Sequence, residues 1–199
     1  MSKLDEVIGK LNKQYGQTVV STDKDSIAFK VKDRVPFPTP ALTYLFGGGL
    51  PTNIIMEIAG GFSSGKSSLA MAIAGEFQRY YKQKWQARVD ELTNQDKLNK
   101  DEAKELAELK ENGHKRVVWL DIEQSMRDEN WVKKNKLDAD DLVYYRPDDQ
   151  SAEEILDATI KLVETGCVCL VVLDSIAALT SASALKKDLT EKTYCGVSG

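Results

Sequence analysis

The chain has 199 residues and a net charge of −4, with 42% hydrophobic and 29% charged residues, three cysteines and one histidine. That length suits one medium α/β domain with an appendage, and the mild acidity excludes a protein that coats nucleic acid through a global basic field, leaving only a local contacting loop open. No apolar run reaches the length of a membrane span, the start Met1-Ser2-Lys3-Leu4-Asp5-Glu6 is too charged for a signal peptide, and Cys167, Cys169 and Cys195 lack metal-ligand spacing, so a cytoplasmic chain with reduced thiols is expected.

Residues 1–34 read as an N-terminal helix and arm, and 35–199 as a core. Leu4, Val7, Ile8, Leu11 and Tyr15 recur at helical spacing, with Ser2 placed to cap the start and Gly16 to end the helix. Such a stripe covers something apolar, and pattern leaves its own domain and a neighbouring subunit equally open. Short β-like stretches follow at Val19-Val20 and Ile27-Ala28-Phe29, and Thr39-Pro40 then opens a short helix through Phe46 that Gly47-Gly48-Gly49 ends.

Residues Gly60-Gly61-Phe62-Ser63-Ser64-Gly65-Lys66-Ser67 form a complete G-x-x-x-x-G-K-[ST] phosphate loop, with Ser68 beginning the run behind it. Asn53 to Ala59 ahead of it has the pattern of a buried strand, and Ser68 to Ala74 that of a helix. Glycines let backbone N–H groups close around a polyphosphate at a positive helix end. Lys66 adds a charge near the β and γ phosphates, and the Ser67 hydroxyl suits Mg²⁺. The motif in this setting predicts ATP or another nucleoside triphosphate as ligand, with Mg²⁺.

Between about 79 and 115 the composition turns to Tyr, Trp, Gln, Lys and Glu, which predicts a charged helical hairpin inserted in the core, with Lys104 and Glu108 one turn apart and Gly113 as a stop. Alternation then returns. Val117 to Asp121 is a strand, Glu129 to Asn135 a helix and Leu142 to Tyr145 a strand. Ser151-Ala152-Glu153-Glu154 is a capping box opening a helix that Gly166 stops, and Val168 to Asp174 is a fully buried strand ending in a carboxylate. Strands alternating with helices imply a parallel sheet with ligands at its carboxyl edge.

Three carboxylates belong to that edge. Asp174 ends its strand level with the phosphate loop, where it suits the magnesium shell. Ser175 fits a phosphate, the attacking water or a plain turn cap. Asp121 and Glu123 both suit activation of water, and residue chemistry alone leaves the choice even. Trp131, one turn further, reads as core filler or as a ring stacked on adenine.

Nearly the whole chain resembles the first part of RecA-type recombinases. The resemblance rests on Leu11-Asn12-Lys13-Gln14-Tyr15-Gly16, the stretch Pro40 to Pro51, the loop Gly60 to Ser67, Leu120-Asp121-Ile122-Glu123, Pro147-Asp148 and Leu173-Asp174-Ser175-Ile176-Ala177-Ala178-Leu179, all in order. It implies a RecA-like P-loop NTPase fold with a parallel central sheet and an N-terminal helical arm. It also implies Glu123 as the residue that activates water, Asp121 as support, and Asp128 and Trp131 as adenine contacts, with one residue inserted between Glu123 and Asp128 relative to the family. The first DNA-binding loop would fall at Leu185 to Gly196, where Lys186, Lys187 and Lys192 suit phosphates.

Two features depart from the family. The 79–115 segment has no counterpart of that length in cellular members, as in the divergent phage-encoded ones. The family also continues past the position of Gly199 with a further strand, lying between the phosphate-loop strand and the Asp174 strand, so a truncated chain with little turnover of its own is expected. The implied activity is ATP-dependent recombination and repair on single-stranded DNA, through filaments joined by the arm. The alternatives are another RecA-fold ATPase, helicase-like or clock-type, and a non-enzymatic interaction fragment.

Overall fold

The structure, a computed structural model, describes residues 2–16, 31, 33–124, 126, 128–147 and 150–179. The expected strands at 19–20 and 27–29, the basic residues Lys186, Lys187 and Lys192, and Cys195 lie outside the described residues.

Helix α1, Lys3–Tyr15, is fixed at both ends by its own sequence. Ser2 Oγ accepts from the Asp5 N–H at 3.2 Å while the Asp5 carboxylate accepts from the Ser2 N–H at 2.8 Å, a reciprocal cap that satisfies two orphan donors. Those bonds hold the Asp5 carboxyl below the usual range. Gly16 ends the helix at φ 68°, the left-handed region where a side chain is strained. No residue of α1 is buried, and Leu4, Val7 and Tyr15 are exposed.

Strands β1, Arg34–Val35, and β2, Leu50–Pro51, pair antiparallel around helix α2, Pro40–Leu45. Thr39 caps α2 as expected, its hydroxyl accepting from the Leu42 N–H, and Pro40 supplies the first helical position. Arg34 ties the unit together by donating to the carbonyls of Phe46 and Gly49 at 2.8 and 3.0 Å.

The expected strand over 53–59 is not formed. A strand exists by pairing, and no described strand lies against this segment. Met56 and Ile58 still pack on the core, whereas Ile54 and Ile55 face out. Alternation of burial survives in part without the ladder.

Behind the loop, helix α3 runs unbroken from Lys66 to Thr93, 28 residues. The shift in composition near residue 79 marks where α3 leaves the body of the protein, not where a helix ends. Helix α4, Lys100–Asn112, returns antiparallel along its outer half. Leu92, in the last turn of α3, is fully buried, the Trp85 indole N–H donates to the Leu109 carbonyl at 2.8 Å, and Arg88 grips both oxygens of Glu105 at 2.9 and 2.7 Å. Asn99 and Glu102 form a reciprocal cap at the start of α4, and Gly113 closes it.

Strands β3 (Arg116–Asp121), β4 (Leu142–Tyr145) and β5 (Val168–Asp174) make a parallel sheet in the order β4-β3-β5. Helix α5, Glu129–Lys134, and helix α6, Ala152–Glu164, connect them. Alternate residues of β3 serve two cores, since successive side chains face opposite ways. Val117 and Trp119 pack with Met71, Ile73, Ala74 and Phe77 of α3, and Val118 and Leu120 pack with Ile155 of α6. Ser151 and Glu154 cap α6 as the sequence predicts.

Strand β5 departs from its expected full burial: every residue in it is half-buried. It pairs with β3 on one side, and no described strand lies on the other. A strand is sealed on both faces only when neighbours carry the helical layers past it.

The direction of α3 follows from what its middle touches. Gln78 donates to the carbonyls of Asp138 and Asp141 at 2.8 and 3.2 Å and accepts from the Asp138 N–H at 2.9 Å. Gly75 lies so close to the same connection that a Cβ would stand 2.3 Å from the Lys136 carbonyl oxygen. The Trp85 ring sits 6.0 Å from that of His114, just ahead of β3, and His114 Nε2 is 2.7 Å from Asp141. These residues feed the amino ends of β3 and β4, so α3 runs antiparallel to the strands. From Gln78 back to Lys66 is about 18 Å of helix, close to the length of β3 at about 17 Å. The start of α3 therefore stands at the carboxyl edge of the sheet.

Candidate nucleotide site

The loop from Gly60 to Gly65 delivers α3 with an open N-terminus. Helices α1, α2, α4, α5 and α6 each begin with a side chain accepting from the first turn, whereas Gly65, at φ 89°, gives α3 none. The first N–H groups of α3 thus remain available, at the positive end of the helix dipole. The loop folds tightly: a Cβ on Gly60 would lie 2.7 Å from Ser64 Oγ. Lys66 turns back over it, donating to the carbonyls of Gly60 and Gly61 at 3.2 and 2.9 Å. Ser67 and Ser68 occupy the first turn of α3, and Phe62 at the tip is fully exposed. A concave backbone, one ammonium group and free amide donors form an arrangement complementary to a polyphosphate.

At the same edge, β3 and β5 end side by side. Asp121 and Asp174 are partners in the parallel register. Their surroundings differ. Asp121 is fully buried, accepting from the Tyr144 hydroxyl at 2.6 Å and the Met126 N–H at 3.1 Å. Asp174 is half-exposed, and its carbonyl accepts from the N–H groups of Ile122 and Glu123 at 2.9 and 3.2 Å. Glu123 is exposed and accepts a hydrogen bond from the Ser175 hydroxyl. The Asp174–Ser175 peptide is cis. Glu123, Asp174 and Ser175 are thus brought together, while Asp121 is directed into the protein.

Asp128 caps α5, its carboxylate accepting from the Asn130 N–H at 2.9 Å, and Trp131 packs partly buried against the α3 core. Sequence reasoning passed over Tyr144, whose hydroxyl reaches a residue 23 positions away and has no local signature. It also passed over Gln124, in the left-handed region at φ 53° and bonded to Arg146 at 2.7 Å.

Among the described residues no cluster of three or more His, Cys, Asp or Glu side chains surrounds a metal position. A separate cleft of about 530 Å³ lies between the hairpin and the amino end of the sheet. Of its cations Lys84, Arg88 and Lys115, the first two are paired with Asp33 and Glu105.

Residues 100–197 match the family model of the RecA N-terminal domain. A protein named RecA from Thioalkalivibrio sulfidiphilus is 27% identical over 187 residues, 94% of this chain and 44% of its own length. Those from Wolbachia sp. subsp. Drosophila simulans and Tropheryma whipplei are both 28% identical, over 95% and 94% of this chain and 43% and 34% of their own lengths. The chain spans less than half the length of these relatives.

Proposed function

The chain is related to the RecA-type recombinases, and from that premise we propose that it binds Mg-ATP at the start of α3 and belongs to an ATP-dependent machine for recombination and repair on single-stranded DNA. The observation that carries this reading is that an uncapped helix start with Lys66 and the Glu123, Asp174 and Ser175 group belong to the same edge of the sheet, as the antiparallel run of α3 requires.

In this reading, residues 60–68 wrap the triphosphate and Lys66 exchanges its two carbonyl partners for phosphate oxygens. Ser67 and Asp174 hold Mg²⁺, which when bound neutralises charge on the β and γ phosphates. Asp128 and Trp131 flank the adenine. Glu123 takes the role of base, orienting water toward the γ-phosphate, and its bond with Ser175 links that base to the Asp174 strand end.

Lys186, Lys187 and Lys192 are assigned to DNA phosphates by the family resemblance. The exposed Leu4, Val7 and Tyr15 on α1 support the arm as a filament contact, because a helix buries one apolar face on a partner. Among the described residues no helix is long and apolar enough to cross a membrane. The test is ATP hydrolysis with and without single-stranded DNA, alongside ATP binding. Binding that single-stranded DNA alters supports the recombinase, whereas binding indifferent to DNA points to another RecA-fold ATPase.

A further inference from the structure

Asp121 is a carboxylate with no access to solvent, two residues before the exposed Glu123. Burying a charge without partners is costly, so what holds Asp121 also governs the turn that follows it. Among the described residues its Oδ2 accepts from the Met126 N–H at 3.1 Å, beyond Glu123 in the chain, and from the Tyr144 hydroxyl at 2.6 Å, on β4. Tyr144 stands in register with Trp119. In parallel pairing its side chain shares the face of Trp119 and, two residues along β3, of Asp121. The bond thus spans two adjacent strands and meets the base of the turn from the side. The same turn is tied down by the Gln124 N–H on the Asp121 carbonyl at 3.3 Å, and by Arg146, just past β4, on the Gln124 side chain at 2.7 Å.

We infer that Tyr144 is a positioning residue: by fixing the Asp121 carboxylate it locks the turn that leaves β3 in the form that presents Glu123 to Ser175 at the sheet edge. This rests on the reading of Glu123 as the base. Without the phenol hydroxyl, Asp121 keeps the Met126 N–H but loses its charge-compensating donor from β4. A buried carboxylate short of a donor rotates toward water or draws water in, and either response frees the Met126 end of the turn. Glu123 then samples positions away from Ser175, while the phosphate loop, on a different element, is untouched.

The test is Tyr144→Phe in the chain as it stands, which removes one oxygen and keeps the ring. Backbone hydrogen exchange is expected to accelerate about tenfold at Met126, with Val118 and Leu120 in β3 unchanged as internal controls. Affinity for a fluorescent ATP analogue should stay within about twofold, and kcat for ATP should fall about tenfold at constant KM. Tyr144→Phe combined with Glu123→Gln should be no slower than Glu123→Gln alone, because a residue that acts through another adds nothing once that other is gone. Unchanged exchange at Met126, or rate losses that multiply in the double variant, would overturn the inference. Where the parent binds ATP without turnover, the exchange result alone decides. Loss of the nucleotide reading has a separate signature, ATP affinity unaltered by Lys66→Ala, and leaves the exchange result standing.

Discussion

Asp121 and Asp174 end adjacent parallel strands opposite one another, yet one is fully buried and the other half-exposed. The division follows from neighbours. β3 is central, with Tyr144 and Met126 supplying donors to Asp121, whereas β5 is the edge of the described sheet. Two carboxylates at one register therefore stand in different surroundings, the inner one held by donors from within the protein and the outer one partly open to solvent.

Substitutions should separate these roles from that of Glu123. Asp121→Ala removes the acceptor of the Tyr144 hydroxyl and of the Met126 N–H from the buried strand end, and should cost about 1–3 kcal/mol of stability in a denaturant titration. Glu123→Gln, at an exposed position, should leave stability unchanged and ATP bound while hydrolysis falls about 10²–10⁴-fold. Turnover abolished by Asp121→Asn and spared by Glu123→Gln would reverse the assignment.

The phosphate loop is tested by Lys66→Ala. Lys66 donates only to loop carbonyls in this structure, so its removal breaks two exposed bonds and little packing. Stability should hardly move. ATP affinity should weaken by about 2–4 kcal/mol through loss of charge-assisted phosphate contacts. Titration with a fluorescent ATP analogue measures it, and equal affinity in variant and parent would remove Lys66 from the site.

Much of this architecture is legible in local sequence because local interactions build it. Ser2, Thr39 and Ser151 each reach a donor three residues away, and Gly16 and Gly113 end helices through their own backbone freedom. The apolar runs of β3 and β5 announce strands for the same reason. What stayed hidden depends on distant partners. Whether 53–59 becomes a strand is decided by a neighbouring strand, not by its own residues. The length of α3 was masked because its outer half exchanges an apolar core for charged contacts with α4, such as Arg88 with Glu105. Gln78 and Tyr144 look like ordinary surface residues until the chain returns at 138–141 and 121 to meet them. In the site, the loop and the strand-end acids were readable, while the support beneath Glu123 was not.

The α3–α4 hairpin should respond more to its apolar contact than to its ion pairs. Leu92 is fully buried, so Leu92→Ala should cost about 2–5 kcal/mol if the hairpin unfolds with the rest of the chain. Arg88→Ala should cost much less, since its partners Glu105 and Glu91 lie in solvent where such pairs are screened. Thermal unfolding of both variants tests the order. Glu105 is held below the usual carboxylate range by Arg88. Its contribution is therefore present above the unfolded value and lost as pH falls through the lowered folded one, a small acid-side weakening that Arg88→Ala should remove.

Cys169 reports on whether β5 is seated against β3. Burial pushes its thiol up to about 12, and its Sγ lies 3.3 Å from the Arg116 carbonyl, to which the thiol donates. The thiolate is the reactive form, and an ordinary cysteine titrates near 8.5. At pH 8 the thiolate fraction at Cys169 is then smaller by about 10³. Iodoacetamide in native buffer should leave Cys169 unmodified over hours, and denaturant should expose it to modification within minutes, both read by mass spectrometry of its peptide. The sign with pH is fixed. The thiolate stays far scarcer than that of an ordinary cysteine until pH rises toward 12, so a native reaction between pH 7 and 9 as fast as that of the denatured chain would mean β5 is not docked as described.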